Sequence, residues 1–314
     1  VKEAKRVVSV SLGDSKRDSE QEASFAGVPF TLARIGTDGN LEKYKELVAA
    51  WDGKCDAIGL GGIDLYIVAG NRRYTIREAK KLAAPAKVTP VVDGSGLKNT
   101  LERDTILSLV ANGIFEMRGK KALLVSGVDR FGMAQALEEV GARVTYGDLM
   151  FALGIPLPIR SFRLMNLIGM IMLPLIVRLP FKWLYPTGEK QSQIRPKYAK
   201  HYREADFICG DFHYIKKHLP DSLSGKVIIT NTTTKEDVQM LRQRGARMLV
   251  TSTPNIGGRS FGTNVMEGVL ITLLGKKPEE ATPAEYTELL TQLGWKPTVT
   301  TLQDDSATSL QAAG

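Results

Sequence analysis

The run Ala122-Leu-Leu-Val-Ser-Gly127-Val-Asp129-Arg130-Phe131-Gly132-Met-Ala134 places one glycine where an apolar strand stops and another where a helix has just begun. A dinucleotide site uses that spacing: the first glycine permits a tight turn, the later one lets helix and strand approach, and the helix N-terminus aims amides at phosphate. The middle position, usually glycine, is Asp129, whose carboxylate has to turn away from phosphate oxygens. Asp148 lies 21 residues after Gly127, at the end of the next strand. An acid there accepts hydrogen bonds from ribose hydroxyls and repels a 2′-phosphate, so the expected cofactor is NAD rather than NADP. Gly127, Asp129, Arg130, Phe131, Gly132 and Asp148 are the expected cofactor-binding residues. Gly210, Asn231 and Thr232 follow later strands and are expected to join them at the same crevice.

A second polar loop, Asp93-Gly-Ser-Gly96-Leu-Lys98-Asn99-Thr100, follows another strand. Lys98 suits proton donation or carbonyl polarisation during hydride transfer, and Asn99 suits orientation of a substrate. Asp93 and Asp104 are candidate partners for the ammonium, and Asp64, after Gly61-Gly62, is a candidate for the same cleft. The catalytic set read from the sequence is Lys98, Asn99, Asp104 and Asp64. The loop Gly257–Asn264 could wrap an anion through its amides and Arg259, or could be a simple turn and cap; both stay open.

The elements that position these loops alternate. Val7–Leu12, Phe30–Ile35, Ala57–Leu60 and Lys87–Val92 read as strands separated by helical patterns at Leu41–Trp51 and Ile76–Ala83. Lys121–Ser126, Arg143–Tyr146, Ala205–Cys209, Lys226–Thr230 and Arg247–Val250 repeat the pattern. The expected fold class is α/β with mostly parallel sheets: an N-terminal α/β substrate domain and a Rossmann-like nucleotide-binding domain. The expected boundaries are 1–100, completed by helices within 262–293, then 101–261 with an insert at 151–204, and a disordered tail at 301–314.

The formal charge of +8 is concentrated. Between Phe151 and Ala205, nine basic residues face only Glu189 and Glu204, giving +7 within an apolar segment, which does not read as a nucleic-acid surface. Leu164–Val177 is too short to cross a bilayer comfortably. Three readings of this insert stay open: a homo-oligomer (dimer) interface, a wall for a bulky apolar substrate, or a peripheral contact of 160–185 with an anionic membrane. Cys55 and Cys209 form no motif and read as buried thiols of a cytoplasmic protein; no secretory signal is expected at Val1. His201, His213 and His218 have no ligand spacing, so no metal is expected, and no serine sits in a nucleophile elbow.

The segments Gly96-Leu-Lys-Asn99-Thr100, Gly119–Gly127, Ala205-Asp206-Phe-Ile, Gly225-Lys-Val-Ile and Leu241–Val250 resemble the quinate/shikimate 5-dehydrogenase family. The resemblance covers roughly Val91 to Val250 and implies a two-domain NAD(P)-dependent oxidoreductase. The family's aspartate directly after Asn-Thr is Leu101 here, with Asp104 one helical turn on. The functional expectation is hydride transfer involving a carbonyl or hydroxyl substrate that is bulky and apolar if the insert walls the site. The alternative is a non-catalytic Rossmann-like sensor or scaffold.

Overall fold

A computed structural model describes residues 3–69, 72–179, 194–253, 255–256 and 259–303. Two compact units divide the chain: Val1–Leu101, Ile168–Ser192 and Phe261–Trp295 in unit one, and Glu102–Leu167, Gln193–Ser260 and Lys296–Gly314 in unit two.

Unit one contains β1 (Lys5–Ser11), β2 (Ser19–Phe25), β3 (Val28–Gly36), α1 (Leu41–Trp51), β4 (Ala57–Gly61), β5 (Tyr66–Ala69), β6 (Arg72–Thr75), α2 (Arg77–Ala83), β7 (Val91–Val92) and α3 (Ser95–Asn99). The main sheet runs β2-β3-β1-β4-β7, parallel except for β2, which pairs antiparallel with β3. Ala26 and Gly27 both have positive φ, 50° and 72°, the two-residue turn whose twist suits a hairpin. β1 lies inside the sheet, and Val7, Val8 and Val10 are all fully buried, as a parallel strand covered on both faces requires. Asn40 caps α1 by accepting from the amides of Glu42 and Lys43, each at 3.0 Å. A helix at Thr263–Leu274 covers the sheet, and Gly268 is needed there because a Cβ would stand 2.6 Å from Val7 Cγ1.

Beyond the junction, α4 (Leu101–Ala111), β8 (Lys121–Leu124), α5 (Phe131–Glu139) and β9 (Arg143–Tyr146) lead to a π-helical turn at Asp148–Ala152 and then α6 (Phe162–Ile176). β10 (Phe207–Cys209), β11 (Val227–Thr230), β12 (Met248–Thr251), a short ribbon of β13 (Asn255–Ile256) and β14 (Arg259–Ser260), and β15 (Thr298–Thr301) follow. The six-stranded sheet runs β15-β12-β11-β10-β8-β9, parallel except for β15. One face is packed by Leu123, Val125, Phe151, Tyr202, Ile208 and Leu241, all buried.

The expected fold class is corrected here. Both main sheets are mixed, because β2 and β15 close their edges antiparallel. The second sheet is also not Rossmann-like in order. A Rossmann sheet adds a third parallel strand beyond the one that follows the glycine turn. Among the described residues, the outer edge of β9 carries only the bridge Tyr146–Ile159. The order of the parallel strands is instead 2-1-3-4-5, with its switch point between β8 and β10. Thr301, expected to begin a disordered tail, ends β15, and 304–314 lie outside the described residues.

Candidate functional site

In unit one the chemistry gathers where β4 and β7 end. Gly94 has φ +90°, and a Cβ there would stand 2.4 Å from Thr263 Oγ1, so only glycine fits. The turn it makes is held by two buried acids. Asp93 Oδ2 accepts from the amides of Leu65 at 2.7 Å and Tyr66 at 2.8 Å, and Oδ1 accepts from Ser95 at 3.0 Å. Glu267 Oε2 accepts from the Gly94 amide at 2.6 Å, and Oε1 accepts from Gly96 at 3.1 Å and the Tyr286 hydroxyl at 3.0 Å. Burial, with the Asp93 charge adding, pushes the Glu267 acid up to about 7.

Lys98, 4% exposed on α3, forms an ion pair with Asp64, whose side chain is a quarter exposed. Sequence reasoning proposed Asp93 and Asp104 as partners of this ammonium. Asp93 instead holds three backbone amides, and Asp104 lies on α4 in unit two, 3.9 Å from the Arg103 guanidinium. Asn99 is half-buried at the end of α3.

In unit two the glycine turn is closed by its own acid. Asp148 Oδ2 accepts from the Gly127 amide at 3.1 Å, and Oδ1 accepts from Val128 at 2.8 Å. Desolvation, with the Asp129 charge adding, raises the Asp148 acid to about 6 against those two hydrogen bonds. Gly127 is not in the left-handed region. Glycine is required because a Cβ would meet Tyr146 Cδ1 at 2.8 Å and Asp148 Oδ2 at 3.3 Å. Gly210, at φ +131°, packs likewise on Val125, with a Cβ site 2.6 Å from Cγ2. Gly132 lies buried in the first turn of α5. Phe131 packs against Phe162, ring centroids 5.3 Å apart.

Arg130 is the centre of the second cluster, its side chain only 3% exposed. Its guanidinium pairs with Glu102, fully buried on α4, and donates to Asp211 Oδ2 at 2.7 Å; its Nε stands 3.3 Å from Asp129 Oδ2. Asn231 donates to the same Asp211 oxygen at 3.1 Å and accepts from the Thr230 hydroxyl at 3.1 Å. Asp129 follows β8, Asp211 follows β10 and Asn231 follows β11, so the cluster occupies the carboxyl ends of adjacent strands. Ser126, in the same turn, is 5% exposed, and its hydroxyl has no hydrogen-bond partner among the described residues. Thr232 is half-buried beside this cluster in sequence, while Thr234 is spent on a capping box with Asp237.

The NAD site expected on Gly127, Asp129, Arg130, Phe131, Gly132, Asp148, Gly210, Asn231 and Thr232 is therefore corrected. The amides of Gly127 and Val128, which a pyrophosphate would need, are donated to Asp148. Both carboxylate oxygens of the half-buried acid are thereby engaged by the turn itself rather than by a ribose. The remaining charge is three carboxylates around one guanidinium, which repels phosphate. Glu102, Asp211, Ser126 and Glu267 were missed as site residues. A single acid inside the apolar run Val265–Leu274 was the signal for Glu267. The Gly257-Gly258 part of the predicted anion loop lies outside the described residues, as do Trp183 and Tyr185 of the insert. No group of three or more histidine, cysteine or acidic residues able to hold a metal occurs among the described residues.

Residues 96–302 match the family model described as "Domain of unknown function (DUF8754)", and residues 6–93 match "Domain of unknown function (DUF8753)". The chain belongs to the DUF8754 family. No curated protein matches the chain. Among solved structures, a sugar ABC transport substrate-binding protein from Bordetella parapertussis is 11% identical, over 97% of this chain and 90% of that one, with TM-score 0.37. A periplasmic ribose ABC transporter protein from Conexibacter woesei is 10% identical over 100% and 96%, with TM-score 0.37. A glutamate dehydrogenase is 13% identical over 92% and 67%, with TM-score 0.38. At such scores the alignments assign no ligand or activity to this DUF8754 chain.

Three further expectations are corrected on these findings. The family matched is not the quinate/shikimate dehydrogenase family that the sequence motifs resemble. Oxidoreductase activity loses its cofactor site to the Asp148 contacts. The cytoplasmic assignment is withdrawn as well, since the two free thiols on which it rested report no compartment. Cys209 is fully buried, and Cys55, pushed up to about 12 by burial and then by Asp56 and Asp52, is protonated in either redox environment.

Proposed function

We propose that unit two binds a small polyhydroxylated molecule, without transforming it, at the carboxyl ends of β8, β10 and β11. The observation that carries this reading is the Arg130 cluster: Asp129, Asp211 and Asn231 converge there beside the buried, unpartnered Ser126 hydroxyl. Open α/β sheets bind ligands in the crevice outside the strand ends at the switch point, which here lies between β8 and β10. A ligand hydroxyl can donate to a carboxylate and accept from a guanidinium or serine, so one group type satisfies the whole set. A phosphate or carboxylate ligand would add negative charge to an excess of acids. A purely apolar one would leave these groups desolvated and unmet.

The test is calorimetric titration of the full chain with aldoses and polyols, and separately with NAD and NADH. At least one polyol is expected to bind saturably, and Asp211→Asn is expected to weaken it by about tenfold or more, the worth of a hydrogen bond to a charged group. Saturable NAD binding, or no response to any polyol, overturns the reading.

A further inference from the structure

The helix α6 presents apolar residues on both of its sides. Met165, Leu173 and Val177 face inward at 0%, 3% and 8% exposure. Leu164, Leu167, Ile171 and Leu175 face outward at 47%, 48%, 60% and 60%. Their spacing of three and four residues draws one continuous stripe down the helix, where a surface helix of a globular protein would carry charged side chains. Just before the helix, Leu153, Ile155 and Leu157 are also 43–58% exposed. Scattered exposed leucines need no explanation, but a contiguous stripe does.

The charges around the stripe have one sign. Arg160, Arg163 and Arg178 are all exposed, and no acidic residue occurs between Asp148 and Glu189 in the sequence. Pairing with a second copy of the chain would set arginine against arginine. Arg163 and Arg178 stand at opposite ends of the stripe, so parallel pairing matches each with itself and antiparallel pairing matches one with the other. A surface of anionic lipid complements both features: acyl boundary for the leucines and isoleucine, phosphates for the arginines. At fifteen residues the helix is about 22 Å long, short of a hydrocarbon core of about 30 Å. No helix among the described residues is long and apolar enough to cross a membrane. Pro174 lies within the last turn and cannot donate to the Met170 carbonyl one turn earlier.

We infer that the outward face of α6 docks on an anionic lipid surface, lying in its plane with Leu164, Leu167, Ile171 and Leu175 inserted and Arg160, Arg163 and Arg178 on lipid phosphates. This inference is independent of the ligand reading for unit two. The full chain is co-sedimented with phosphatidylglycerol vesicles and with phosphatidylcholine vesicles, while sedimentation velocity without lipid reports the oligomeric state. Binding is expected to phosphatidylglycerol, weakening with salt. Ile171→Ser with Leu175→Ser is expected to abolish it, and Arg163→Gln with Arg178→Gln to weaken it about 30-fold, each with unchanged circular dichroism. Equal or absent binding to the two vesicle types overturns the proposal, as does binding that neither double variant alters. A lipid-free dimer that the serine variant dissociates also overturns it, assigning the stripe to a second copy.

Discussion

Two glycine turns in this chain meet the same fate in different ways. In unit one the amides of Gly94 and Gly96 are taken by Glu267; in unit two those of Gly127 and Val128 are taken by Asp148. A strand-turn-helix with glycines is therefore not by itself a phosphate site, because an internal carboxylate can do what a phosphate would. The difference lies in what surrounds each staple. Around Gly94 the acceptors are matched by backbone amides and the Tyr286 hydroxyl, and the arrangement is closed. Around Gly127, acids gather on Arg130, and Asp129 and Asp211 keep 20% and 16% of their side-chain surface. The first turn is a structural knot, and the second keeps partly exposed acids around a buried guanidinium.

Arg130→Met should give the largest effect. It strands Glu102 and its neighbours without a counter-charge, and breaking a buried pair this way costs about 3–5 kcal/mol. Lys98→Met should cost less, about 1–2 kcal/mol, because Asp64 is exposed enough to recruit water. Equal losses in urea denaturation would break the contrast between the two clusters. Gly94→Ala falls between these two, expected to cost about 2–4 kcal/mol from its left-handed backbone and the Thr263 clash. Gly127→Ala needs no change of backbone region and should cost about 1–3 kcal/mol through Tyr146 alone.

The pH dependence sharpens the comparison further. Glu267 titrates near 4.5 when unfolded and at about 7 when folded, so the folded state keeps a proton that the unfolded state has released. Its contribution is full below about 4.5 and is lost as pH rises through 7, a change of about 3 kcal/mol by pH 8. Asp148, raised to about 6, acts in the same direction over a lower window. Stability curves measured across pH 5–8 should be flatter for Glu267→Gln than for the wild type; parallel curves would show that the acid is not held neutral. The smallest effect expected is at the thiols: native protein at pH 8 should resist alkylation at Cys55 and Cys209 until it unfolds.

The alternating apolar runs made most of the central strands legible, since Val7–Val10 and Leu123–Val125 can only be interior β. β2 was not legible: Ser-Glu-Gln-Glu-Ala-Ser-Phe has no fully buried residue and is a strand because an edge was available and a tight turn delivered it. β15, four residues of threonine and valine, hides for the same reason. The glycines and Asp148 were legible as a group, but their purpose was not. Spacing places Asp148 at the end of β9 and does not say whether it faces a ribose or the amides beside it. Lys98 and Asp64 were both visible, yet their partnership depends on how α3 is seated, which Asp93 determines from inside.

The bond from Gly94 to Glu267 joins residues 173 positions apart. On a ribosome, the strands of unit one emerge first but wait for the Thr263–Leu274 helix, made after nearly all of unit two, before that turn can be fastened. Strands made early are thus finished late, and they spend the interval with an unprotected sheet face. A nascent chain stalled before residue 263 should engage chaperones through its N-terminal strands rather than through the later-made unit.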